Sequence, residues 1–131
     1  IDLIFACTFN GLVHDVAPQR VLQSIASGLL GRAAFDGGVA TAVLGTFAHY
    51  AILFVAATIF IIAGRRLTFL RERPWLWGSL FGAAIFLVMH CIVLPLSAAP
   101  PFRSTPFSAS CDFLVHLFGI GLPIALIARR A

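Results

Sequence analysis

From Gly38 to Gly64 the chain runs without a single Asp, Glu, Lys or Arg, and the run ends abruptly at Arg65-Arg66. About 20 apolar residues suffice to carry a helix across a bilayer. Two further runs share the pattern, one from Trp75 to about Pro95 and one from about Ser110 to Ala128, the latter interrupted only by Asp112. The chain is 60% hydrophobic and 11% charged over 131 residues, whereas soluble domains carry roughly 25% charge. Mean hydropathy is +1.01. A core of this size cannot hide that much apolar surface, so lipid must solvate it. The partner implied first is the bilayer.

The net charge of +4 comes from arginine alone, since lysine is absent. The arginines punctuate apolar runs and build no basic surface of the kind that grips nucleic acid, so no nucleic-acid partner is expected. Arg65, Arg66, Arg71 and Arg73 fill the loop after the second run, and Arg129-Arg130 follow the last. Arg20, Arg32 and Arg103 fall on the opposite side of that alternation. The positive-inside rule then puts the 65–74 loop and the C-terminus in the cytoplasm.

The expected fold is all-α and membrane-embedded, a single domain over 1–131. Four transmembrane helices form a bundle, with spans at about 1–16, 38–64, 75–96 and 110–128. The run from Ile1 to His14 is too short to cross alone. It is expected to be the outer part of a first helix, not a cleaved leader, because the apolar run continues into the helix. Residues 18–32 differ. Pro18 suits a first helical turn, and Val21, Leu22, Ile25 and Leu29 recur at helical spacing between polar residues. That is a short amphipathic helix expected at the interface, broken from the second span by Asp36-Gly37-Gly38.

Each expected helix or its end carries one histidine: His14, His49, His90 and His116. Ionisable side chains inside a membrane are costly and usually face protein. At 1.5 Å per residue, His90 lies about 7 Å inside Pro95, His116 about 9 Å inside Ser110 and His49 about 16 Å inside Gly38. His90 and His116 therefore match best in depth. At 100° per residue, Gly38, Ala42, Gly45, His49 and Ala56 share an arc of roughly 60°. Small residues allow close helix approach, which puts His49 on a packing face. Asp112, His116, Gly119 and Pro123 share a similar arc, and Asp112 can reach His116 at i, i+4. Cys7, Asn10, Gly11 and His14 cluster likewise. Gly78 and Gly82 form a GxxxG pair, with His90 about 100° away.

Two readings of the histidines stand side by side. The plain one is interhelical hydrogen bonding, which needs no cofactor. The sharper one is a haem or metal site near the outer leaflet with His49, His90 and His116 as cofactor-binding candidates and Asp112 behind His116, because imidazole suits haem iron, copper and zinc. Helix-packing candidates are Gly38, Ala42, Gly45, Gly78, Gly82 and Gly119. No GxSxG, HExxH, P-loop or paired carboxylates occur, so hydrolytic and nucleotide chemistry lack a signature. Cys7, Cys91 and Cys111 form no zinc or disulfide framework; small apolar fillers are the default, with a Cys91–Cys111 bridge the alternative. Pro123 is expected to kink the last span, and Trp75 and Trp77 suit a headgroup belt.

From His49 onward the residues form a series: His49, then Trp77, Gly78 and Gly82, then His90 with Pro95-Leu96 and Pro100-Pro101-Phe102, then His116 and Arg129-Arg130. In this series the chain resembles the YagU-like family of small bacterial inner-membrane proteins. The resemblance covers roughly the last two thirds of the chain. It implies a bacterial inner-membrane location and supplies no catalytic residue. The 18–32 segment departs from the family pattern, where a longer insertion precedes the second span. The functional expectation is a non-enzymatic accessory or packing subunit of a larger membrane assembly. Haem or metal binding and proton or solute transport are the alternatives.

Overall fold

The computed structural model describes residues 2–101 and 105–130. It is helical throughout, with no strand among the described residues. The helices are α1 (Asp2–His14), α2 (Pro18–Leu30), α3 (Gly38–Arg66), α4 (Phe69–Glu72), α5 (Pro74–Leu96) and α6 (Pro106–Ala128), with a 3-10 turn at Gly31–Phe35 between α2 and α3. Among the described residues α3, α5 and α6 are long and apolar enough to cross a membrane. The first expected span, at about 1–16, coincides with α1, whose 13 residues reach about 20 Å at 1.5 Å each, short of a ~30 Å hydrocarbon core. Phe102 and Arg103, which belong to the residue series and to the arginine comparison, lie outside the described residues, as does Ile1.

The contacts divide the chain into two compact units. One is built mainly from Leu3–Ile52 with His90–Arg103, the other from Leu53–Met89 with Ser104–Ala131. In the first unit, α1 ends where Asp15 turns left-handed at φ 52° and the Val16 N–H returns to the Asn10 carbonyl at 3.1 Å. Aspartate tolerates that region better than most side chains. α2 then lies on the first half of α3. The buried residues of α2 are Val21, Gln23, Ala26 and Ser27, so burial only partly follows the apolar stripe expected from spacing; Leu29 stays 64% exposed. The reason is Gly45, which lets the Leu22 carbonyl and the Ala26 amide come up against the α3 backbone. Small residues govern that contact, and bulky ones are left outside it.

Gln23 holds the junction. Its Nε2 donates to the Gly38 carbonyl at 3.0 Å and to Thr41 Oγ1 at 3.3 Å, while Thr41 Oγ1 donates to the Ala34 carbonyl at 2.6 Å. Arg20 adds a bond to the Phe35 carbonyl at 2.9 Å and stacks over the Phe35 ring. Carbonyls freed by the 3-10 turn are thus satisfied by side chains, as burial requires. Beyond α2, the Ala98 N–H donates to the Gly28 carbonyl at 3.0 Å, tying the end of α5 to α2.

In the second unit α5 packs on α6. A methyl on Gly82 would strike the His116 carbonyl, and one on Gly121 would strike the backbone of Gly78 and Gly82. The GxxxG of α5 therefore seats a glycine of α6, the small-on-small contact that membrane helices use in place of a hydrophobic drive. Two packing expectations change. Gly119 touches the Val115 side chain of its own helix, and the glycine that meets α5 is Gly121. A methyl on Gly38 would meet nothing within 4 Å, and the residue serves instead through its φ of +60°, which starts α3. Toward the arginine-rich end, Phe60, Ala125 and Ala128 form a small core with Trp77 and Phe81 packed on it.

Both α5 and α6 widen locally to π-helix, at Met89–Val93 and at His116–Gly121. Each widening is followed closely by a proline, Pro95 and Pro123. Proline lacks the amide donor and its ring crowds the carbonyl four residues back, so a widened turn relieves both faults. Hydroxyls within the helices are closed on their own backbones, as with Thr46 on Ala42 at 3.0 Å and Thr58 on Phe54 at 2.8 Å, which keeps donors satisfied without water.

Candidate functional site

The chemistry-bearing side chains of the second unit meet at His116. The residue opens the π stretch of α6, and its carbonyl lies against Gly82 of α5. One turn along α5, Phe86 presents its ring edge-on to the imidazole at 5.4 Å and to Phe113 at 5.2 Å. Behind the imidazole, Nδ1 stands 2.8 Å from the Asp112 carbonyl and 3.3 Å from its Oδ1. Both partners are acceptors, so Nδ1 carries the proton and donates. The neutral imidazole then has its lone pair on Nε2. The side chain of His116 is 12% exposed and that of Asp112 is 42% exposed. The aromatic edges keep the ring from rotating, and the carboxylate fixes its tautomer. Chemically, such a pair can hold a proton or present one imidazole nitrogen of settled orientation.

His116 also sits deeper than the spacing implied. α6 starts at Pro106, four residues before Ser110, because Thr105 caps it: the Thr105 hydroxyl accepts from the Ser108 N–H at 3.2 Å. Along the axis that puts His116 about 15 Å from the helix start. Thr-Pro is a helix-start signal that could have been read in advance.

In the first unit, His49 is half-buried on α3 with Tyr50 edge-on at 5.8 Å, and its Nε2 is buried. Ala42 and Gly45 on the same line are buried too. His90 is exposed on the π turn of α5, beside exposed Cys91. His14 is exposed at the end of α1, with Phe9 edge-on at 5.9 Å. Among the described residues no three His, Cys, Asp or Glu side chains assemble as a metal-holding group. His49 and His90 belong to the first unit and His116 to the second. All three cysteines are free thiols.

Comparison with protein-family models, with curated proteins and with solved structures finds no match to this chain.

Proposed function

We propose that this chain is a non-enzymatic helical protein of a bacterial inner membrane that serves as a subunit of a larger membrane assembly, with α1 contributing to a fourth span. The exposed face of α5 is where a partner helix docks. One observation carries the reading. The apolar window of α5 is only 6% buried, and on that span His90 is exposed. Exposed leucine and valine need nothing but lipid. His90 stands on that exposed face, and an imidazole there offers a partner helix a polar contact that leucine and valine cannot. Leu87 (56% exposed) and Leu94 (42%), about one turn to either side of His90, share its face and supply apolar contact for a second helix.

The small-residue faces also bear on this. Gly45, Gly78, Gly82 and Gly121 are occupied within the two units, so a partner meets the larger side chains of α5 and not a glycine seam. The test is size analysis in mild detergent with a photocrosslinking side chain at Leu87. A particle of defined size above the 14.1 kDa of the chain, a single crosslinked species, and loss of both in His90→Leu are expected. A stable monomer that crosslinks only to lipid would overturn the reading.

A further inference from the structure

We infer that the arginine-rich end of the second unit is a binding surface for the headgroup of an anionic phospholipid. The contacts that bring the arginines together are specific. Arg71 on α4 lays its Cγ 3.4 Å from where a methyl on Gly64 of α3 would sit, and its Nη2 donates to the Arg129 carbonyl of α6 at 3.2 Å. Arg65 and Arg66 follow Gly64 directly, Arg73 precedes α5, and Arg130 follows Arg129. The ends of α3, α4, α5 and α6 within this unit thus share one arginine cluster, and Glu72 is the single acid in it.

A structural explanation exists for part of this charge. Arginines at helix C-termini offset the macrodipole, as Arg65-Arg66 and Arg129-Arg130 do for α3 and α6. Two C-termini amount to about one negative charge between them. Glu72 removes one more, and the N-terminus of α5 adds positive potential. Most of the arginine charge is therefore left over for an external anion.

The same end says which anion. Exposed apolar side chains adjoin the arginines: Trp75 at 67%, Leu80 at 51%, Leu76 at 49% and Leu67 at 46%. A ligand matching both has a charged phosphodiester joined to acyl chains. The planar guanidinium forks a phosphate through two parallel bonds, which an ammonium cannot do. Basic clusters beside a span gain roughly a fivefold affinity per arginine from anionic lipid.

The experiment uses the full chain, delipidated in mild detergent and read by native mass spectrometry. It is titrated in parallel with phosphatidylglycerol, phosphatidylcholine of the same acyl chains, and inorganic phosphate. Retention of phosphatidylglycerol over phosphatidylcholine by about tenfold or more is expected. The double variant R65Q/R66Q lowers it by more than tenfold, R65K/R66K only in part, and R20Q/R32Q in the other unit not at all. Because Arg65 and Arg66 are exposed, unchanged melting temperature distinguishes lost binding from lost fold. If R65Q/R66Q melts early, R130Q replaces it. Equal retention of both lipids, indifference to the arginine variants, or displacement by inorganic phosphate at equal concentration would each sink the inference.

Discussion

Gly82 and Gly121 show how much of this protein turns on single missing methyl groups. The His116 carbonyl occupies the place where a Gly82 side chain would be, and the backbone of Gly78 and Gly82 occupies that of Gly121. The colliding atoms are main-chain atoms and cannot swing aside. Gly82→Ala is expected to destabilise the second unit by about 1–3 kcal/mol, the usual range for overpacking. Gly119→Ala, facing only its own helix's Val115 side chain at 3.3 Å, stays within about 0.5 kcal/mol. Thermal unfolding of both variants in one detergent checks the contrast; equal losses would mean the α5–α6 contact is looser than the geometry states. Spacing pointed to Gly78 and Gly82 but to Gly119 on the other helix. The π stretch rotates the residues beyond His116, and an ideal 100° step does not anticipate that rotation.

At the level of the element, helix ends explain the departures from expectation. α6 begins at Pro106 because Thr105 accepts the Ser108 amide. Thr105→Ala removes that acceptor and is expected to cost about 1 kcal/mol, fraying the first turn so that amide exchange rises at Ala109 and Ser110 while Ala125 stays protected. Uniform protection would show that the cap contributes nothing. α2 is the opposite case. Its amphipathic pattern is plain in the sequence, yet the residues it buries include Gln23 and Ser27. Hydrophobic periodicity ranks residues by oil-to-water transfer, whereas close packing on Gly45 selects for size and for donors that can reach Gly38 and Thr41. Where the outside is lipid, leucine has little reason to be inside.

For the whole molecule, orientation across the membrane is a matter of charge. The positive-inside rule predicts a cytoplasmic position for the arginine-rich end of the second unit. Leu67 lies there and is 46% exposed. Leu67→Cys, in a chain whose own three cysteines are replaced by alanine, should resist an impermeant thiol reagent in intact spheroplasts and react after permeabilisation. Labelling of intact spheroplasts would invert the topology. This prediction needs only the sequence to be framed; the lipid surface proposed at the same end also needs Arg71, Gly64 and Arg129 to meet, which no spacing rule supplies.

The sequence by itself determined the solvent and the class: long uncharged runs closed by arginines leave only membrane helices, because a backbone in lipid must satisfy its own hydrogen bonds. It also determined that Asp112 and His116 meet, since residues four apart share a helical face. Only the tertiary structure decided which glycines touch, where α6 begins relative to His116, and which aromatic rings surround that imidazole. Local periodicity fixes angles about one axis. Which faces of two helices meet depends on caps, prolines and π turns that reset those angles, and on the fit of small residues across the contact.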